Sequence, residues 1–440
     1  MAITATGLVS SIDYDSIIQQ LVSVKSLPVD QLIADKKKLE HTQSSYTTLA
    51  SRVTDLETAA NDLKTLSGFD SFTSSSSDTS ILDATAGTSA LAGSSVIVVN
   101  ALAKSHKMAA DGVAASTTVV ASAAGSFNFT VGTGTMQSVA VDAATTVTGL
   151  SDAINALNAG VSASVVNDGT SYRLVLTANS TGTANQITIN QNDTTLAFNT
   201  TLQAAQDASL TVDGLAVTRS SNTISDVLTG VTLNLKSTGA SAPVTVTTSR
   251  DVGEIEKKIV AFVDRYNAAM SYIKSNNRYD IDTKTGGALF GDPIARSVAD
   301  ELSRIMTSAV SGLPDTMNRL IHVGVTRDTN GVMSLNSAKL KDALNTNYSD
   351  VVNLFVEGTS TSGFGKLVYD LTKSMNDSVD GRITKKQEGL GSNIASLVTH
   401  ITSKEQEISD YEASLRVRFS LLERTLAGLK AQGQFLSAGF

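Results

Sequence analysis

The 440-residue chain has no cysteine and no tryptophan, and aromatic residues make up only 5% of it. Without cysteine there is no disulfide, no thiolate metal site and no thiol nucleophile. Such a chain suits export in an unfolded state, because nothing has to be reduced or reshuffled on the way. Basic charge is also short: 34 Lys and Arg stand against 42 Asp and Glu, a formal charge of −8. Phosphate backbones demand a basic face, so no nucleic-acid partner is expected. The one basic run, Lys36-Lys37-Lys38, lies between Leu32 and Leu39 in a helical pattern and reads as a solvated helix face. No apolar run approaches the ~18 residues of a membrane helix, so no membrane insertion is expected. The opening MAITATGLVSSIDYDSII lacks a positive n-region, an apolar core and a small-residue cleavage site. It is not a conventional signal peptide, and any export would use a route without a cleaved leader.

Charge is missing from the middle in particular. No Glu occurs between Glu57 and Glu254, and no Lys between Lys107 and Lys236. Within 113–205 only Asp142, Asp152, Asp168, Arg173 and Asp193 are charged. What fills this block is Thr, Ser, Val, Ala, Asn and Gly, alternating as in Tyr172-Arg173-Leu174-Val175-Leu176 and Gln186-Ile187-Thr188-Ile189. Turn residues at Asn167-Asp168-Gly169 and Ser180-Thr181-Gly182 punctuate it, which is the pattern of β-hairpins. One helix is predicted inside it, over 149–159, with Leu150, Ile154 and Leu157 on one face.

The two ends carry heptads. Pro28 is placed to open a helix running to about Leu66. In it Leu32, Leu39, Tyr46, Val53 and Ala60 form one row seven residues apart, and Leu49, Leu56 and Leu63 a second. Near the C-terminus Ile394, Ile401, Ile408, Leu415, Leu422 and Leu429 hold the same spacing, partly seconded by Leu390, Leu397 and Tyr411. Sustained heptads predict coiled-coil or bundle packing. An internal bundle core explains such stripes as readily as an assembly surface. Because the stripes flank a β-rich block, the two ends are expected to meet, with the middle as an insertion. At this length about three or four domains are expected, and the fold class is α+β and multidomain.

Enzymatic constellations are missing. His41, His106, His322 and His400 are scattered, and neither an HExxH, a GxSxG nor a Walker A pattern occurs. Gly132-Thr133-Gly134 lacks the third glycine of a dinucleotide fingerprint. Asp280-Ile281-Asp282 begins like a calcium loop, but Lys284 holds the next ligand position and no Glu stands at the twelfth, so it reads as a polar turn. Asp328-Thr329-Asn330-Gly331 reads as a hairpin turn. No catalytic residue, cofactor or metal site is assigned.

Several segments nevertheless carry a resemblance. Gly7-Leu8-Val9-Ser10-Ser11-Ile12-Asp13, continuing to Ile17 and Leu21, resembles the opening of the flagellar hook-associated protein 2 family, with Ser11 in place of the usual Gly. The stretch from Thr146 through Asn155, with the following 160–176, resembles the flagellin hook IN motif of outer domains in flagellar axial proteins. In the second half, Phe262-Val263-Asp264-Arg265-Tyr266-Asn267 resembles that family's F-V-x-x-Y-N helix and Gly287 through Gly291-Asp292 its G-x-L-x-G-D turn. Gly324, Asp328, Gly331, Lys339-Leu340 and Leu354-Phe355 fall on its following block, with Asn336 where Asp is common. Tyr411 through Phe419 and Gln434-Phe435-Leu436 resemble its closing helix.

The resemblance implies a non-enzymatic cap at the tip of the bacterial flagellar filament. It implies terminal axial helices over 1–38 and 405–440, a helical leg over 39–80 and 250–404, an inner plate over 81–112 and 206–249, and an outer plate over 113–205. The family is described as a ring of about five protomers that holds exported flagellin until it folds into the lattice. Its implied partners are further copies of the chain, flagellin, the hook–filament junction protein, a cytoplasmic export chaperone and the flagellar type III export apparatus. Secretion and motility follow. The alternatives are another axial protein (junction protein or flagellin) or a tip adhesin binding host glycans. Heptad stripes are costly to leave wet, so the ends are expected to order as neighbours bury them.

Overall fold

The computed structural model describes residues 12–239, 242–359 and 361–437. The chain divides into two compact units: Asp70–Glu254, and the chain on either side of it.

The flanking unit begins with α1, Tyr14–Asn61, a helix of 48 residues. It starts well before Pro28, the expected opening. The Asp13 carboxylate accepts the Ser16 amide at 3.0 Å and caps the first turn. A proline inside a helix forfeits an amide bond and crowds the carbonyl one turn back, at about 3 kcal/mol. Tyr14 and Ile18 are both fully buried ahead of it. Each such burial contributes about 1.5–3 kcal/mol, so packing carries the helix through the proline.

The unit Asp70–Glu254 opens with β1 Phe72–Ser76, β2 Leu82–Ala86, β3 Gly93–Ala101, β4 Ser105–Ala109, β5 Gly125–Val131 and β6 Gln137–Val141. Helix α2 Val147–Ala156 follows, then β7 Val161–Asn167, β8 Tyr172–Thr181, β9 Ile187–Asn192 and β10 Thr200–Gln203. The closing strands are β11 Ala208–Val212, β12 Leu215–Arg219, β13 Thr223–Leu228, β14 Val231–Leu235 and β15 Val244–Arg250. They build two separate cores. The sheets β1-β15-β3-β11-β12 and β13-β14-β2 surround Ile97, Val99, Leu210, Leu233 and Val246. The sheets β10-β4-β8-β7 and β6-β5-β9, with α2, surround Phe127, Phe129, Leu150, Ile154, Leu174 and Leu176. β4 pairs with β8 and β10, so although it lies in 81–112 it belongs with the outer sheets, and Ala110 lies in their core. α2 ends at Ala156, nearly three turns after its Thr146 cap; Leu157 at the C-cap leaves the expected face and is exposed. Asn158 then turns left-handed (φ 50°), which stops the helix.

Beyond this unit come α3 Val252–Asn276, the hairpin β16 Tyr279–Asp280 and β17 Thr285–Gly286, and α4 Pro293–Thr307. A second hairpin, β18 Val325–Arg327 and β19 Met333–Leu335, precedes α5 Ser337–Thr346, α6 Tyr348–Phe355 and α7 Phe364–Met375. The last helix is α8, Arg382–Ser437, 56 residues long. Phe355 is the hub of this unit: the rings of Phe69, Phe262 and Phe364 lie 5.9, 6.3 and 6.5 Å from it. α1 is unbroken at 38 and α8 at 405, so the expected axial and leg portions are stretches of the same two helices.

The two β cores predict separability. Lys104 and Gln206 exchange both backbone hydrogen bonds, at 2.8 and 3.1 Å, at the base of the outer sheets. Replacing 105–205 by a short Gly/Ser turn at that bridge leaves the inner core and the flanking unit folded. Calorimetry of the shortened chain is expected to keep a sharp transition. A broad, low-enthalpy melt would show that the two β halves share one cooperative core.

Candidate assembly surface

α1 and α8 lie antiparallel. Tyr14 stacks on Phe419 at 4.9 Å, Lys25 reaches the Tyr411 ring, and Gln387 donates to Thr47 at 3.1 Å. As α1 advances from 14 to 47, its partners descend from 419 to 387, so the heptad rows of the two ends pack on each other within one chain. Tyr46 and Val53, expected on the assembly stripe, are fully buried inside the unit. Leu32, Leu39, Ile394 and Ile408 are half-buried along the pair. Ile401 and Leu415 are each only 8% exposed. Past Phe419 the row emerges: Leu422 is 45% and Leu429 59% exposed, and Phe435 reaches 82%. On α1, Ile17, Leu21, Val24 and Leu27 are exposed over the corresponding end. The isolated chain therefore buries the stripe over most of its length and leaves apolar surface at one end of the helix pair. Gly7 and Leu8 lie outside the described residues.

The G-x-L-x-G-D turn has a mechanical role. Gly291 takes a left-handed φ of 74°, and its amide donates to Asn277 Oδ1 at 3.0 Å. Asp292 then caps α4, accepting the Ile294 and Ala295 amides at 2.9 and 3.2 Å. The same carboxylate accepts the Tyr46 hydroxyl at 2.5 Å and pairs with Lys386 at 3.0 Å. One side chain thus ties α1, α4 and α8. A few residues away, Arg382 at the start of α8 grips Glu301 of α4 through its two terminal guanidinium nitrogens, at 2.6 and 2.5 Å. Sequence reading missed Lys386, Arg382 and Glu301, because a lone charge in a helix carries no mark of its distant partner.

Asparagines do the work of strands. Asn267 on α3 donates to Met333 O at 2.7 Å and accepts Met333 N at 2.8 Å, completing the outer side of β19. Asn155 of α2 makes the same pair with Ala163 of β7, at 2.8 Å both ways. Asn222, not singled out in the sequence, does so with Ala103. Tyr266, beside Asn267, is fully buried in α3's inner face, and burial pushes its hydroxyl above the ordinary range. Gly324 (φ 89°) cannot be replaced freely, since a Cβ would meet Asn336 O at 2.9 Å. Asp328 Oδ1 accepts the Asn330 and Val332 amides, and Gly331 closes that hairpin turn with φ 87°. Asp280 folds its loop likewise onto the Asp282 and Thr283 amides, a polar turn as expected. These residues of the family motif are turns, caps and clamps.

A pH prediction follows from the carboxylates. Burial works to raise Asp292, but hydrogen bonds from Tyr46, Lys386 and the Ala295 amide outweigh it and hold the carboxyl below its ordinary 3.8. Hydrogen bonding to Arg382 holds Glu301 below its ordinary 4.5. Depressed folded values mean that the unfolded chain takes up protons first. Their stabilisation is complete above pH 4.5 and is lost as pH falls through the folded values. Burial, then Asp292, pushes the Tyr46 hydroxyl above its ordinary 10.0, so stability also falls as pH rises past 10.0. Melting followed against pH should show both slopes, and Tyr46→Phe should flatten the alkaline one. At neutral pH Asp292→Ala, which removes a cap and orphans the Tyr46 hydroxyl, should cost about 2–4 kcal/mol in denaturant titration.

The chain is similar to known proteins over most of its length. The family model described as flagellar hook-associated protein 2 C-terminus matches residues 205–431, and that for the N-terminus matches 10–106. The flagellin hook IN motif matches 126–180. The B-type flagellar hook-associated protein 2 of Pseudomonas aeruginosa is 28% identical, over 94% of this chain and 92% of its own length. The flagellar hook-associated protein 2 of Escherichia coli K12 is also 28% identical, over 100% and 98%. The solved D1-D2-D3 domains of the Escherichia coli flagellar cap protein FliD superpose with a TM-score of 0.66 at 28% identity, covering 79% of this chain and 99% of that one. With a family model spanning more than half of its residues, and turns, caps and clamps at the motif positions, the chain belongs to the flagellar hook-associated protein 2 family.

Proposed function

We propose that the chain caps the growing tip of a bacterial flagellar filament and promotes insertion of exported flagellin. The carrying observation is the family match over 205–431, joined by the superposition on the cap protein's three domains. The second-half match also disfavours the junction-protein and flagellin readings, and no observation favours a glycan-binding role. Among the described residues no His, Asp and Glu cluster could hold a metal ion, and no helix is long and apolar enough to cross a membrane.

The mechanism is one of surfaces. α1 and α8 already bury most of their stripe on each other, which gives each protomer a preformed helical arm. The apolar end of that arm, with Leu422, Leu429 and Phe435, is the part that a neighbouring copy would cover. Burying each such side chain contributes about 1.5–3 kcal/mol, so a closed ring gathers strength from several modest contacts. Around this ring, with about five protomers as the working number, stand flagellin below and the hook–filament junction at the start of growth. Before that stage an export chaperone would shield the C-terminal helix, and the type III apparatus would pass the chain out to an extracellular site at the filament tip.

Gene deletion with complementation tests the reading. Loss of filaments, with flagellin spilling into the medium, is expected, and the wild-type gene should restore swimming in soft agar. A chain carrying Leu422→Asp and Leu429→Asp should melt as the wild type does yet fail to restore swimming. Leu415→Asp should lower the melting temperature as well, because Leu415 packs on α1. Full swimming by the Leu422/Leu429 double variant would remove the exposed arm from the assembly surface.

A further inference from the structure

The unit Asp70–Glu254 contains a single histidine, His106 on β4, and its side chain is only 5% exposed. The register of β4 on β8 jumps between Ser105 and Lys107, so His106 sits in a bulge. A bulge re-aims the side chain it carries. Here the ring reaches the other sheet of the outer core: the Ile187 amide, at the start of β9, donates to His106 Nδ1 at 3.1 Å. β9 is an edge strand that pairs with β5 alone, and Ile187 is buried at its end. The imidazole does for β9 what asparagines do elsewhere, accepting a buried amide that no strand reaches.

An accepting Nδ1 fixes the neutral ring, with its proton on Nε2. Among the described residues nothing accepts from Nε2. The elements around the ring offer little charge. β5, β9, β10 and the turn 183–185 hold no titratable residue. β8 holds Tyr172 and Arg173 at the end away from Thr181, with Arg173 paired to Asp168. Lys104 and Lys107 lie close in sequence, and Asp207 accepts the Thr183 amide and hydroxyl. Burial is the influence that remains, and it holds the imidazole below its ordinary 6.5.

We propose that His106 is an acid-released latch between the two sheets of the outer core. A proton taken up at Nδ1 removes the lone pair that holds the Ile187 amide and leaves a buried cation facing an N–H. The start of β9 then comes away from β4, and the outer core opens from that end. By linkage, the opened chain takes up the proton first. The closed state is therefore favoured above pH 6.5, and the advantage is lost as pH falls from there through the folded value. This begins at a higher pH than the acid slope of Asp292 and Glu301, whose ordinary values are 3.8 and 4.5.

The test uses the full chain with isotope-labelled histidine, read by nitrogen NMR, and hydrogen exchange followed by mass spectrometry. At neutral pH the His106 ring should carry its proton on Nε2 alone and titrate with a midpoint below 6.5. Corrected for intrinsic rates, exchange over β9 should be roughly five- to tenfold faster at about pH 5.5 than at about pH 7.5. Exchange over β14 of the inner core should not change. His106→Gln, whose carbonyl can accept the Ile187 amide without titrating, should abolish the pH response of β9. His106→Phe, which offers no acceptor, should give fast exchange of β9 at both pH values. Should the glutamine variant fail to fold, the ring and exchange measurements on the wild type decide. A proton on Nδ1 at neutral pH, a midpoint at or above 6.5, equal corrected exchange of β9 at both pH values, or a response that survives His106→Gln would each overturn the latch.

Discussion

The antiparallel packing of α1 on α8 is the contact on which the rest of the architecture depends. It joins residues such as Asp15 and Arg416, 401 positions apart along the chain. The entropic cost of closing so long a loop grows only with the logarithm of its length, so a moderate apolar seam can meet it. That seam is built from Tyr14 on Phe419 and the rows around Ile401 and Leu415. The exposed ion pair between Asp15 and Arg416 sets register more than stability, because solvent screens it.

A second constraint is the satisfaction of backbone groups at places where the strands run out. Asn155, Asn222 and Asn267 each present one donor and one acceptor in the geometry of a neighbouring strand. An asparagine amide is the smallest side chain able to do this, since both functions sit on one planar group. A chain rich in short strands and poor in charge thereby closes its sheets against helices and loops without extra strands. The outward side of β18 has no such device among the described residues, and a groove lies beside it.

Polar anchoring and apolar exposure are kept apart in the helical unit. Asp292 and the Arg382–Glu301 pair hold α1, α4 and α8 together where these helices are buried. Large apolar side chains at the other end of α8 are left to solvent. A base tied together in this way, with an apolar extremity, is the form expected of a subunit that folds alone and gains more by association.

Much of this was legible beforehand. The charge-poor middle, its hairpin grammar and the heptads at both ends announced an α+β chain with an inserted β block, because side-chain periodicity follows directly from helix and strand geometry. The motif positions Asn155, Tyr266, Gly291, Asp292, Gly324 and Gly331 were legible as family residues, though not their mechanical roles. The helix start was misplaced at Pro28, because local propensity cannot see the burial of Tyr14 and Ile18 that overrides it. β4 was grouped with the wrong sheet, since a strand's neighbours depend on register and not on its own residues. Periodicity alone determined that a stripe exists along Ile394 to Leu429. Only the tertiary structure decided which part of it is spent inside the chain, because burial depends on what a distant segment brings to the same face.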